Sequence, residues 1–321
     1  MAIAVLYEHP EWFQPLFAAL GRRGLDYIEL DAGSLTWDPA RPPAFGLLVN
    51  RMSPSAYLRG HAHAIHAALH YIGFIEACGI PVVNGSAAYR LEISKAAQLA
   101  LLERLRLPYP RARIINTPSA AVAAAEGLRF PVVVKPNIGG SGARIQRFDS
   151  RDRLAGAVDA GALDLGIDAT ALVQEFLPAR GGAITRVEIL DGELLYAIRI
   201  TPPAGFGFNL CPADICRDDQ ESANGTPIEG ACATKPAMEI AAADVPAGVL
   251  AGAQSIATAA GLDICGIEYL VDDRDGQPYF YDINALSNFV TDAPRIVGFD
   301  PFERFVDCLE TRLAAVLPQM R

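Results

Sequence analysis

Short apolar runs alternate with amphipathic stretches through the first third of the chain: Ile3 to Tyr7, Trp12 to Leu20, Tyr27 to Leu30 and Gly46 to Asn50. Strand-like runs separated by helical periodicity are the pattern of strands crossing over through helices, so a small parallel sheet is expected. A helix is expected from about His61 to Cys78, then a strand over Pro81 to Asn84 ending in the turn pair Asn84-Gly85. Ser94 suits the N-cap of another helix, with Leu99, Leu102 and Leu105 on one face and Pro108 and Pro110 as its stop.

From Thr117 to Leu177 the pattern becomes helix, strand, glycine loop, strand, helix, strand, with Pro131 to Lys135 and Leu172 to Phe176 as the clearest strands. This stretch is compact enough to form a separate lid. Arg186 to Leu190 and Glu193 to Ile200 then read as a hairpin whose Asp191-Gly192 connection suits a type I′ turn. The proline-rich, polar stretch from Thr201 to about Pro246 carries little regular pattern and is a candidate substrate loop. A helix around Val249 to Ala260 leads into a second hairpin, Gly266 to Val271 and Pro278 to Ile283. A final amphipathic helix is expected from about Pro301 to Leu317. The expected division is 1–116, 117–180 and 181–321, in keeping with a length beyond which one core usually stops growing.

Charge and cysteine usage narrow the classes. A formal net charge of −10 without a lysine or arginine run lacks the footprint of a nucleic-acid binder, so none is expected as a partner. The apolar stretch Ala2 to Leu6 is too short to span a bilayer and is followed by Glu8 and Glu11, so neither a signal peptide nor a membrane anchor is expected and the location is taken as cytoplasmic. Cys78, Cys211, Cys216, Cys232, Cys265 and Cys308 show no CxxC pair or nearby histidine in ligand spacing and read as reduced thiols. Self-association is left open by the sequence.

Several residues have the makings of chemistry. Lys135 ends a β-branched strand and is followed by Pro136-Asn-Ile-Gly-Gly-Ser-Gly142, a loop whose amides can turn onto phosphate oxygens. It is not a Walker A element, and on its own a flexible hairpin explains the glycines equally well. Lys95 taken alone reads as an exposed lysine at a helix start. In the second hairpin Phe280, Asp282 and Asn284 alternate onto one face, and Glu268 pairs with Asp282 if the connection holds an odd number of residues. Opposed carboxylates repel unless a divalent cation lies between them; the alternative is two solvated acids, against which the apolar neighbours argue. In the first hairpin, Leu190 opposite Glu193 puts Arg186 and Arg199 diagonally on one face beside Glu188, an anion-binding arrangement unless Glu188 neutralises one arginine and solvent the other. His61, His63, His66 and His70 permit a metal site, but no cysteine or carboxylate completes it. A substrate-facing helix beginning near Asn50-Arg51 is the better expectation and makes Arg51 a substrate candidate. No GxSxG nucleophile elbow is present.

In this order, Ser94-Lys95, the segment Phe130 to Gly142, Val173-Gln-Glu-Phe-Leu177, Arg186, Arg199, Asn209-Leu210, Gly266-Ile-Glu268 and Asp282-Ile-Asn284 resemble the ATP-grasp superfamily. The similarity is to the branch containing the ribosomal-protein glutamate ligase, glutathione synthetase and the lysine-biosynthesis ligases. It implies an α/β (α+β) ATP-grasp fold with a Rossmann-like N-terminal preATP-grasp domain, a small lid and a C-terminal antiparallel-sheet domain. By resemblance Lys95 and Lys135 contact the phosphates of ATP, Gly139, Gly140, Ser141 and Gly142 close over them, and Gln174, Glu175, Phe176 and Leu177 hold adenine mainly by backbone. Glu268, Asp282 and Asn284 would bind Mg2+, one ion or two, with Mn2+ suiting the same ligands. Arg186, Arg199 and Lys135 would stabilise the transferred phosphoryl group, and Asn209 and the first domain would serve the substrates. The implied activity is ATP-dependent joining of a carboxylate to an amine, on an amino acid or peptide. Asp282 is one methylene shorter than the family's usual glutamate, and Cys211-Pro-Ala-Asp-Ile-Cys216 replaces the usual basic, glycine-rich continuation. The rival readings are a small-molecule kinase on the same fold and a non-enzymatic nucleotide-binding module.

Overall fold

The computed structural model describes residues 1–140, 142–203, 210 and 238–316. The first domain is a parallel sheet of β1 (Ile3–Tyr7), β2 (Tyr27–Asp31), β3 (Leu47–Asn50) and β4 (Val82–Val83) in the order β2-β1-β3-β4. Alternation along β1 and β3 sends Ile3, Val5 and Val49 to α1 (Gln14–Arg22) and Ala4, Leu6 and Leu48 to α2 (Ala62–Ala77), which buries both faces of the sheet. Two helices then leave this domain, α3 (Ser86–Glu92) and α4 (Lys95–Arg104). The break between them is sharp because Ser94 caps α4, its hydroxyl accepting from the Ala97 amide at 3.2 Å.

The lid comprises β5 (Ala112–Ile115), α5 (Ala121–Ala124), β6 (Val132–Pro136), β7 (Gln146–Phe148), α6 (Arg151–Asp159) and β8 (Ala171–Glu175). Its antiparallel sheet runs β5-β8-β6-β7. A boundary at residue 116 therefore cuts this sheet: β5 pairs with β8, and its Ile115 packs in the lid's own core with Val132 and Val173.

The C-terminal sheet holds β9 (Ile184–Leu190), β10 (Glu193–Thr201), β11 (Glu239–Ala242), β12 (Ile264–Val271) and β13 (Pro278–Asn284), antiparallel in the order β11-β10-β9-β12-β13. Asp191 and Gly192 both have positive φ, 51° and 81°, as the type I′ connection requires. One face packs on α7 (Ala247–Ala260); α8 (Ala293–Val297) and α9 (Pro301–Val316) follow β13, and Tyr196, Ile198 and Ile200 of the other face share a core with α9 and the first domain. Asn84, at φ 54°, ties the first domain to this sheet by donating its side-chain amide to the carbonyls of Ile264 at 2.8 Å and Ala285 at 2.6 Å.

Two bulges change the side-chain faces. In β10 the register slips between Leu194 and Tyr196, so Ile198 opposes Arg186 and Arg199 opposes Thr185. The connection of the second hairpin, 272–277, is even rather than odd, so an unbroken register would set Glu268 against Tyr281; a slip at Tyr281 is what brings Asp282 opposite Glu268, and it puts Phe280 on the other face, packed with Ile267 and Ile283. Within the stretch 201–246 the chain forms β11; Asn209, Cys211 and Cys216 lie outside the described residues, as does Ser141. Among the described residues no helix is long and apolar enough to cross a membrane.

Candidate active site

Lid, C-terminal sheet and first domain enclose a cleft of about 730 Å3. Its floor is a row of side chains on adjacent strands: Asp282 of β13 opposes Glu268 of β12, which opposes Arg186 of β9. The next row is Asn284, Gly266 and Glu188. The glycine is required there, because the Arg186 guanidinium lies over it and a Cβ would collide with it. Arg186 reaches both neighbours, donating Nε to Glu188 Oε1 at 2.6 Å and Nη1 to Glu268 Oε1 at 2.9 Å. The bulged Tyr281 also faces the cleft and donates its hydroxyl to Glu268 Oε2 at 2.7 Å.

Two lysines stand over this floor. Lys95, at the start of α4, donates to Asp282 Oδ1, and Lys135, near the end of β6, is 6% exposed. Burial and the neighbouring Lys95 push the Lys135 ammonium down to about 7. Burial works against the charge of Lys95 as well, but Asp282 outweighs it and leaves its pKa raised. Burial would raise Asp282; Lys95 and Lys135 together hold it below the usual carboxylate range. Glu268 is raised by burial, against the pull of Arg186.

The Lys135 shift has a measurable sign. A lysine neutral above about 7 in the free protein would take up a proton if a phosphate bound beside it and restored its charge. At about pH 8 the uptake is expected to approach one proton per site and to decline below about pH 7. Binding enthalpies in buffers of different ionisation heat measure it. No uptake at about pH 8 would contradict the placement of Lys135 against phosphate.

The glycine loop leans on both walls: a Cβ on Gly139 would lie 3.5 Å from Lys95 Cε, and one on Gly140 would come within 2.7 Å of Ser55 Cβ in the first domain. Along the far side, the Glu175 amide donates to Arg111 O and the Phe176 amide to Pro131 O, each at 2.9 Å, while Arg147 lies over the Phe176 ring at 4.6 Å. Gln174, Glu175, Phe176 and Leu177 all line the cleft, as does Gly142.

Other sequence expectations are displaced. Arg199 is exposed on the sheet face opposite Arg186, near Gly181, because the bulge at Leu195 inverts the parity of β10. Arg51 is 1% exposed and lies behind the cleft wall, its guanidinium against Phe13 and Phe305 and donating to Ser287 O; burial lowers its pKa to about 10. The α2 histidines do not line the cleft. His66 and His70 are exposed, His63 contacts Gly33 O at 3.1 Å, and His61 at the helix start pairs with buried Glu8 at 2.6 Å, because the apolar face of α2 is the one turned inward. Sequence reasoning missed Glu92, Gln98 and Tyr281, which line the cleft. For Gln98 a signal existed, since it follows Lys95 by one turn of the same helix.

Comparisons with known proteins bear on the fold and on what the chain is similar to. Residues 93–217 match the RimK-like ATP-grasp domain model. The D-alanine–D-alanine ligase of Pseudomonas fluorescens (strain Pf0-1) is 25% identical over 240 residues, 73% of this chain and 67% of its own. That of Ectopseudomonas mendocina (strain ymp) is 31% identical over 136 residues, 42% of this chain and 40% of its own. The chain thus spans about two thirds of one of these relatives and about two fifths of the other. Among solved structures, the ATP-grasp ligase PsnB complexed with a phosphomimetic variant of its minimal precursor, Mg and ADP superimposes with a TM-score of 0.66 at 20% identity, covering 97% of this chain and 98% of that one.

Proposed function

We propose, from the premise that this chain is a member of the ATP-grasp superfamily in its carboxylate–amine ligase branch, that it uses ATP to join a carboxylate to an amine on amino-acid or peptide substrates. The observation that carries the reading is the floor row of Asp282, Glu268 and Arg186 facing Lys95 and Lys135 across one cleft. A purely structural network has no use for five ionisable side chains of both signs around a cleft of this size, whereas a nucleoside triphosphate with its cation does.

The residues fit such a ligand. Glu268, Asp282 and Asn284 offer oxygen donors on neighbouring strands, the donor type magnesium prefers and manganese accepts. Bound there, magnesium would neutralise charge on the phosphate oxygens during transfer. The substrate carboxylate attacks the γ-phosphorus in line, the bond to the ADP oxygen breaks, and an acyl phosphate forms. Lys135 and Arg186 spread the charge that develops, with Arg186 held to its task by Glu188 from behind. Lys95, which neutralises Asp282 in this structure, becomes available to phosphate once that carboxylate has another partner. The amine nitrogen then attacks the acyl carbon, phosphate departs with the oxygen, and the surplus amine proton passes to solvent or phosphate. Gly139, Gly140 and Ser55, closed over the cleft, keep water from the activated acyl group.

The reaction class is open to a direct test. ADP and free phosphate are expected in equal amounts, and only when a carboxylate and an amine are both present, as in pooled amino acids and dipeptides. A phosphorylated product that accumulates with ADP, with no phosphate liberated at any stopping time, would replace the ligase by a kinase.

A further inference from the structure

The strand that carries Asp282 and Asn284 is an edge strand, yet its outer edge is not left to solvent. β13 pairs inward with β12, so the amide and carbonyl of Ile283 and the amide of Ala285 point away from the sheet. Gln98 meets the first of these as another strand would: Nε2 donates to Ile283 O at 2.8 Å and Oε1 accepts from Ile283 N at 3.2 Å. Its other contact, Nε2 to Leu91 O at 3.2 Å, turns the same side chain back onto α3. The Glu92 carboxylate accepts the Ala285 amide. Gln98 is 4% exposed and Glu92 8% exposed, so neither bond is shared with bulk water.

These contacts lie on both sides of a third. Lys95 stands one turn before Gln98 on α4 and donates to Asp282, while Ile283, the residue Gln98 grips, separates Asp282 from Asn284. Glu92, Lys95 and Gln98 thus meet Ala285, Asp282 and Ile283, and the spacing between a phosphate-facing lysine and two cation-facing side chains is set by side-chain hydrogen bonds rather than by strand pairing.

We propose that Gln98, assisted by Glu92, is a positioning residue that holds Asp282 and Asn284 at the distance from Lys95 at which one metal–nucleotide complex engages all three. The proposal rests on the reading of Asp282 and Asn284 as metal ligands. Partners that orient ligands without touching the metal commonly govern metal affinity by roughly 10–100-fold.

Mn2+ titrations followed by electron paramagnetic resonance, with saturating ADP, read the effect on the full-length protein. Gln98→Met, which removes the amide at similar length, is expected to weaken Mn2+ binding in the ADP complex by roughly tenfold or more, with metal-free ADP affinity within about twofold of wild type. Gln98→Asn keeps the amide one methylene short and so leaves no apolar side chain against the polar edge of β13; it is expected to weaken Mn2+ in the same direction. A lower melting temperature in either variant with unchanged Mn2+ affinity would make Gln98 a stability residue only and overturn the proposal. The underlying reading fails separately, if wild type binds no Mn2+ with ADP or if Asp282→Asn binds it as wild type does. Loss of Mn2+ in Asp282→Asn combined with wild-type affinity in both Gln98 variants would overturn the positioning role alone.

Discussion

Arg186→Met is expected to lower kcat by roughly a thousandfold while leaving ADP affinity near that of wild type. The guanidinium is anchored by Glu188 from one side and Glu268 from the other, over a glycine that leaves it room, so in the proposed reaction it would already be in place for the charge that develops on the transferred phosphoryl group. A donor fixed before the reaction costs no reorganisation during it, and its loss is felt in the transition state more than in the ground state. The same substitution leaves Glu188 and Glu268 buried without their cation, a loss of roughly 3–5 kcal/mol of stability when a buried pair is broken. Rates should therefore be measured well below the melting temperature, and Arg186→Lys included. Lysine keeps the charge but cannot reach both carboxylates with one planar fork, so an intermediate rate is expected. Arg199→Ala is the internal control: exposed on the opposite face, it is expected to change kcat by less than about twofold, in keeping with surface substitutions generally. Equal losses at Arg186 and Arg199 would refute the division of labour drawn from the register.

Asp282→Asn should be of similar size, with ADP formation down roughly a thousandfold at saturating Mg2+, because the charge neutralisation lost is worth several kcal/mol and each 1.4 kcal/mol is about tenfold. Asparagine keeps the shape of the side chain, so the fold should persist while Lys95 loses its ion pair. Near-normal ADP formation by Asp282→Asn at saturating Mg2+ would remove Asp282 from the metal site and with it the pairing of Asp282 and Glu268 as joint ligands.

The sequence alone determined the features that depend on local chemistry. A capping serine before Lys95, the Asp191-Gly192 turn and the β-branched strand carrying Lys135 are dictated by backbone preferences within a few residues, and the structure contains each of them. The joint order of the motifs carried the resemblance to the ATP-grasp superfamily, and residues 93–217 match the RimK-like ATP-grasp domain model.

Tertiary structure decided which face a residue takes and what it meets there. A strand pattern read from sequence assumes strict alternation, and one inserted residue inverts it: Leu195 sends Arg199 away from Arg186, and Tyr281 brings a hydroxyl to Glu268 while turning Phe280 into the core. Neither bulge has a local signature, since the bulged residues are apolar or aromatic like their neighbours and the slip is set by how the twisted sheet packs between α7 and the first domain. The same holds for α2, whose periodicity offers a histidine face and an apolar face without saying which one turns inward until the sheet of the first domain claims the apolar one. It holds also for Gln98 and Glu92, whose partners, Ile283 on β13 and Ala285 just after it, lie nearly two hundred residues away in the chain and are brought within hydrogen-bond reach only by the packing of α3 and α4 against the edge of the sheet.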